Sequence, residues 1–296
     1  MMHSWNAMAL KSEMETKEIL IDRLLDLAFA EDIGDGDHTT LSTIPADEIG
    51  RSQLIIKEDG IVAGVEIAEK VLHKVDPSIK IERFINDGES VKKGDIVFVA
   101  EGPVRSLLTA ERTMLNIMQR MSGVATMTRR YQNELEGLHT RVLDTRKTTP
   151  GMRILEKEAV KLGGGCNHRI GLFDMILIKD NHEDFAGGLE KAIDRAKEYC
   201  RVTGRDLKIE VEVRSLDDIR RVLAHGGVDR IMFDNFSPQL TKEAVRLVDG
   251  QIETESSGGI TLENLRSYGE TGVDFISVGA LTHSVKSLDM SFKAIS

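Results

Sequence analysis

The chain has 296 residues, a length that fits one large domain or two ordinary ones. With 41% hydrophobic and 30% charged residues it can bury a real core and is not a disordered chain. Its 49 acidic side chains outnumber 39 basic ones, for a formal charge of -10; together with 4% aromatics this excludes a basic nucleic-acid footprint, an anionic-membrane binder and a base-stacking platform.

Residues 1–18 hold no long apolar run and turn acidic early, so no signal peptide is expected and the cytoplasm is the expected compartment. No later run reaches the ~18 apolar residues of a membrane span. Ile19, Leu20, Leu24, Leu27 and Ala28 recur at helical spacing and predict an amphipathic helix near 17–30. The segment EDIGDGDHTT (31–40) lacks the ligand spacing of a calcium loop and reads as an Asp/Gly turn that caps the next element. Between 51 and 104, short β runs (QLIIK, IKIERFI, DIVFVA) flank one helix, GVEIAEKVLHKV, with turn signals at Asp87-Gly88 and Lys93-Gly94. This pattern predicts an N-terminal α+β open-sheet domain over 1–112. Residues 107–137 read as a long helical stretch loosened at Gly123, with Leu115, Met118, Met121 and Val124 as a core stripe. The two cysteines, Cys166 and Cys200, make neither a disulfide framework nor a zinc cluster.

After residue 140 the rhythm changes. The apolar runs RVLD, MILI, KIEVEV, RIMF, QIETE and DFISV each end abruptly and are followed by helical patterns. Alternating βα units mean a parallel sheet. An open doubly wound sheet would normally show GxGxxG after its first strand, and none is present. The expected fold class is therefore α/β, with the N-terminal sheet domain followed by an incomplete (β/α) TIM-like barrel over 113–281.

The strand ends carry the chemistry. Arg146 and Lys147 follow the first strand, His168 and Arg169 lie in the next connection, and Lys179 ends the second strand. Such a cluster suits carboxylates and phosphates. Glu210 and Glu212 lie on the third strand and Asp234 ends the fourth. Carboxylates close to an anion pocket fit a divalent cation whose shell is completed by substrate phosphates. The alternation of Glu210 and Glu212 with Val211 and Val213 equally fits salt bridging inside a barrel. SSGG (256–259) and SVGAL (277–281) offer bare backbone N–H groups to a phosphate. The joint pattern describes a pocket for a sugar phosphate with Mg²⁺ and a second acidic substrate.

DTRKTTPGMR (144–153), GGGCNHRIGLFDMILIKDNH (163–182), IEVEV (209–213), MFDNFSP (232–238), SSGGIT (256–261) and ISVGALT (276–282) resemble the quinolinate phosphoribosyltransferase family. EDIGDGDHTT and the AERTMLN run around Arg112 extend the likeness to nearly the whole chain. The resemblance implies condensation of quinolinate with phosphoribosyl pyrophosphate, with loss of pyrophosphate and CO₂. It implies that Arg146, Lys147, His168, Arg169 and Lys179, with Thr145 beside them, bind the carboxylates of quinolinate and the pyrophosphate. Glu212 and Asp234 would hold the ribose hydroxyls and Mg²⁺, acting with Lys147 as the catalytic set. Ser257, Gly258, Gly259, Gly279 and Ala280 would cradle the 5′-phosphate. Arg112 would reach into a neighbouring subunit's pocket, making a homodimer obligatory, and a tail over 282–296 would pack back on the first domain. Two rivals remain: a related phosphoribosyltransferase acting on another anionic base, and a non-catalytic phosphate-binding barrel.

Overall fold

Alternating runs and continuous apolar runs fold into two different kinds of sheet, one in each of two units. The computed structural model describes the backbone of residues 2–295 and the side chains of residues 16–295. One unit comprises the chain up to residue 127, residues 148–163 and the chain from 285; the other comprises 128–147 and 164–284.

The first unit opens with helix α1 (Met2–Ile33). Among its described side chains Ile21 and Leu25, one turn apart, are the deeply buried ones, whereas Ile19, Leu20 and Leu27 of the expected stripe are exposed. The segment is apolar around most of its circumference, so periodicity alone does not choose the inward face. Asp37 then starts α2 (His38–Thr43), its carboxylate accepting from the Thr40 N–H at 3.0 Å, which is the capping role read from the Asp/Gly turn. Strand β1 (Ile49–Ile56), the two-residue β2 (Gly60–Ile61), α3 (Val65–Val75), β3 (Lys80–Arg83), the two-residue β4 (Ser90–Val91) and β5 (Ile96–Pro103) follow. β1 pairs antiparallel with β5 on one side and with the C-terminal strand Met290–Ile295 on the other, and β3 pairs with β5. One face of this sheet is buried: Leu54, Ile56 and Phe98 are fully enclosed, with Phe98 and Phe292 rings 6.2 Å apart. Fully burying each such side chain is worth about 1.5–3 kcal/mol.

Helix α4 (Val104–Glu134) runs unbroken through the expected domain boundary at 112/113 and into the second unit. Its stripe of Leu115, Met118, Met121 and Val124 is buried. The helix is not loosened at Gly123; a Cβ there would meet the Lys286 carbonyl and lie 3.1 Å from the Ser287 Cα, so the glycine admits a passing main chain.

The second unit contains all six expected strands: β6 (Arg141–Leu143), β7 (Ile176–Ile178), β8 (Ile209–Val213), β9 (Arg230–Asp234), β10 (Glu253–Ser257) and β11 (Phe275–Ser277). They form one parallel sheet in the order β6-β11-β10-β9-β8-β7. Consecutive strands neighbour one another as in a barrel, but β6 and β7 share no ladder, leaving an open seam with one isolated bridge from Leu143 to Cys166. The barrel is thus incomplete, as expected. Between its strands run α6 (Asp180–Ala186), α7 (Leu189–Thr203), α8 (Leu216–His225), α9 (Pro238–Val248) and α10 (Leu262–Gly269), and the short helix Ala280–His283 follows β11; α5 (Arg153–Leu162), between β6 and β7, belongs to the first unit.

Candidate active site

Side chains two residues apart on a strand share a face, and this rule arranges the interior in levels. Glu253, Arg230 and Glu210 are register partners at the N-terminal level, Glu255, Met232 and Glu212 at the next, and Ser257 with Asp234 at the C-terminal mouth. In parallel barrels the C-terminal mouth carries the chemistry.

The expected residues distribute around that mouth. Lys147 is exposed just beyond β6; its N–H donates to the Thr145 hydroxyl at 3.0 Å and its carbonyl accepts from the Thr282 hydroxyl at 2.9 Å. A Cβ on Gly279 would lie 3.1 Å from the Lys147 Cδ, so glycine at 279 makes room for the lysine stem. Arg146 is exposed, and its charge, after burial, is the second cause holding the Arg169 guanidinium below its ordinary value. Two cations that repel each other are poised for an anion between them. Lys179 caps the start of α6 and places its Nζ 3.4 Å from the Glu212 Oε2.

Asp234 is oriented by its neighbour Asn235, whose side-chain amide donates to Oδ2 at 2.9 Å. Asn235 adopts φ +56, a left-handed conformation that asparagine tolerates, and its N–H donates to the Ser257 carbonyl at 2.8 Å. Gly258 has φ +96, and a Cβ there would collide with the Asn235 amide. The SSGG turn is therefore shaped by two requirements at once, and only glycine meets both. Gly259 follows at φ +64 in open space, and Ala280 begins the short helix after Gly279. Arg112 belongs to the first unit, exposed on α4 with the Glu111 carboxylate 4.0 Å away.

His168 stands apart from the exposed cations. It is buried, with Nε2 2.9 Å from Glu210 Oε2 and 3.5 Å from Glu255 Oε2. Its Nδ1 accepts from the Arg169 N–H at 2.8 Å and its own N–H donates to Asp144 Oδ1 at 2.9 Å. Glu210 and Glu255 are both 0% exposed. Burial, with the Glu210 charge next, pushes the Glu255 carboxyl up to about 8, against the pull of His168 and Arg230. Burial likewise pushes Glu210 up to about 7. Arg230 offsets part of this charge, with Nη1 3.2 Å from Glu255 Oε2, Nη2 2.9 Å from Glu253 Oε2 and its guanidinium 4.4 Å above the Phe275 ring.

Among the described residues, His168, Glu210 and Glu255 are the side chains gathered closely enough to share an ion, with ligand atoms within 4.8 Å of one another. This group differs from the Glu212 and Asp234 pair expected to hold Mg²⁺. Sequence reasoning missed Asn235, Arg230 and Glu255. Asn235 had a legible signal, an Asn after a strand-end Asp; Arg230 and Glu255 had none, because their importance lies in register partners from other strands. No helix among the described residues is long and apolar enough to cross a membrane.

A parallel barrel whose mouth combines paired arginines, two lysines, two carboxylates and glycine turns defines an enzyme that handles phosphates and carboxylates together. The family models for the quinolinate phosphoribosyl transferase N-terminal and C-terminal domains match residues 37–122 and 124–293. The chain is 44% identical over 288 residues to quinolinate phosphoribosyltransferase [decarboxylating] 2, mitochondrial, of Nicotiana glauca, covering 92% of this chain and 82% of that one. It is 43% identical over 271 residues to the probable nicotinate-nucleotide pyrophosphorylase [carboxylating] of Bacillus subtilis, covering 92% of each. The solved nicotinate-nucleotide pyrophosphorylase of Francisella tularensis superposes with a TM-score of 0.88 at 40% identity, over 93% of this chain and 96% of that one. The chain belongs to the quinolinate phosphoribosyltransferase family.

Proposed function

We infer that this enzyme transfers the phosphoribosyl group of phosphoribosyl pyrophosphate to quinolinate with decarboxylation, giving nicotinate mononucleotide, pyrophosphate and CO₂ for NAD biosynthesis. The observation that carries this reading is the set of cations at the barrel mouth, Arg146, Lys147, Arg169 and Lys179, in a chain 44% identical to a named quinolinate phosphoribosyltransferase. Arg146, Lys147, Arg169 and Lys179, with Thr145 beside them, bind the carboxylates and the pyrophosphate; His168, expected among them, is buried with its ring against protein groups and supports the site from beneath. Ser257, Gly258, Gly259, Gly279 and Ala280 receive the 5′-phosphate. Glu212 and Asp234 face the ribose hydroxyls and are the residues to hold Mg²⁺. Their oxygen-only donor set suits that hard cation better than the buried imidazole-containing group does. Mg²⁺ bound there supplies charge neutralisation for the phosphates.

The cations at the mouth stabilise the charge that grows on departing pyrophosphate, while Glu212 and Asp234 offset positive charge at the anomeric carbon. The quinolinate nitrogen forms the new bond to that carbon as the bond to pyrophosphate breaks. The electron pair of the adjacent carbon–carboxylate bond stays on that ring carbon as CO₂ leaves, stabilised by the positive charge of the neighbouring pyridinium nitrogen, and a proton then bonds to that carbon. Orientation and electrostatics suffice, with no side-chain nucleophile.

Arg112, exposed on α4, is proposed to complete the pocket of a second copy in a homodimer. Mixing Arg112→Ala with Lys147→Ala under subunit exchange is expected to restore activity; mixtures that stay inactive would remove the shared pocket. The compartment, proposed as the cytoplasm, is read by cell fractionation, since the Nicotiana relative is named mitochondrial. The deciding assay supplies quinolinate, phosphoribosyl pyrophosphate and Mg²⁺ and follows nicotinate mononucleotide and CO₂. Turnover of another anionic base alone would point to a related transferase, and binding without turnover to a phosphate-binding barrel.

A further inference from the structure

We propose that Glu210 and Glu255, braced by Arg230, are positioning residues that fix the ring of His168 and, through it, the main chain of Arg169 at the barrel mouth. The proposal rests on the quinolinate reading for what Arg169 binds, and on this chain's own geometry for everything else.

Both ring nitrogens of His168 face protein atoms. Nδ1 accepts from the Arg169 N–H at 2.8 Å, so it presents a lone pair and the ring proton sits on Nε2. Nε2 lies within ion-pair distance of two carboxylate oxygens, Glu210 Oε2 at 2.9 Å and Glu255 Oε2 at 3.5 Å, whose negative charge favours that same tautomer. The residue is also held from just beyond β6, where Asp144 accepts its main-chain N–H at 2.9 Å. Glu210 on β8 and Glu255 on β10 thus converge on the imidazole, while Asp144, just beyond β6, holds the main chain of the same residue.

The next link is Arg169. Its N–H ends on the His168 ring, and its guanidinium Nη1 donates to the Met175 carbonyl at 3.2 Å. A ring free to rotate would release the N–H and let the guanidinium drift from the mouth. Displacement of about 1 Å in a binding group is enough to cost ~10²-fold in rate.

Packing does not require these carboxylates. Enclosed carboxylates are a stability cost unless paired, and Glu210 Oε1 and Oε2 and Glu255 Oε1 have no hydrogen-bond partner. Their contacts with the His168 Nε2 and the charge of Arg230 are the compensation the structure provides. The same three side chains have the spacing for a divalent ion. Arg230 already stands 3.2 Å from Glu255, and an Nε2 carrying a proton cannot ligate a metal, so the geometry favours the proton.

Two measurements on the intact protein test this. Nitrogen-15 NMR of the histidine rings, with His168 identified among the eight by comparison with His168→Gln, reads the tautomer without any turnover. Wild type is expected to show the Nε2–H form, and Glu210→Gln and Glu255→Gln to shift it. In steady-state kinetics both variants are expected to raise KM for quinolinate by ~10- to 100-fold, with KM for phosphoribosyl pyrophosphate within about 2-fold of wild type. A purely structural role would instead lower the active fraction, reducing kcat at unchanged KM; that pattern would overturn the proposal. So would an Nδ1–H ring in wild type, a divalent metal ligated by the His168 ring nitrogen, or folded variants with wild-type KM. If neither variant folds, the tautomer and metal ligation of the wild-type His168 ring still decide. A wild-type protein inactive on quinolinate would refute the activity while leaving the ring measurement to judge the positioning.

Discussion

The antiparallel sheet of the first unit and the parallel sheet of the second treat charge in opposite ways. Along β1 and β5 the buried positions, Ser52, Leu54, Ile56, Val97 to Ala100 and Gly102, carry no charge, and the charged side chains Arg51 and Glu101 are exposed. The parallel strands β8 and β10 place Glu210 and Glu255 at 0% exposure. An antiparallel sheet with one solvated face can send every charge to water. A barrel strand buried on both faces cannot, so any charge it carries must find a partner inside. The first sheet is built for stability alone, and the second trades some stability for a charged interior beneath the mouth.

Four experiments bear on that contrast, the first three in falling order of effect. Phe98→Ala in the first sheet should cost about 3–5 kcal/mol in denaturant unfolding, with KM for quinolinate unchanged in the protein that remains folded; an altered KM would break the separation of roles. Lys147→Ala should do the reverse. It should lower kcat/KM by about 10²–10³-fold while leaving stability within ~0.5 kcal/mol, as for an exposed side chain. Wild-type kinetics would remove Lys147 from the pocket. Gly258→Ala, at φ +96 and against Asn235, should cost about 1–3 kcal/mol of backbone strain and raise KM for phosphoribosyl pyrophosphate.

The fourth test stands outside that order and reads the direction of a pH dependence. The Glu255 carboxyl is raised from 4.5 to about 8, so the folded state binds more protons than the unfolded one between those values. Its contribution to stability is full at low pH and is lost as pH rises through about 8. Glu210, His168 and Arg230 are the charged and titratable groups facing it. Thermal melts from pH 5 to 9 should show this decline in wild type and a flatter profile in Glu255→Gln. Equal slopes would place the titration elsewhere.

Much of the fold was legible because apolar runs and turn residues are local signals. RVL, ILI, IEVEV, RIMFD, ETESS and FIS all became strands of one sheet, and Arg146, Lys147, Lys179 and Asp234 all stand at or just beyond strand ends. Where the signal was ambiguous, reading from sequence went astray. In α1 apolar residues surround most of the helix, and burial fell on Ile21 and Leu25 instead of Ile19, Leu20 and Leu27. Gly123 looked like a break and is instead a contact point for the chain at 286–287.

The two carboxylates of IEVEV mark the division most clearly. Alternation put Glu210 and Glu212 on one face, because side-chain direction along a strand has a period of two. Which of them lies deep and which meets Lys179 depends on the register of β8 against β7 and β9, and registry is a property of neighbouring strands. By itself the sequence determined the strands, the cation-rich mouth and the family. Only the tertiary structure decided that Glu255, Arg230 and His168, distant along the chain, meet Glu210 beneath that mouth, since burial and partnership arise from packing between strands.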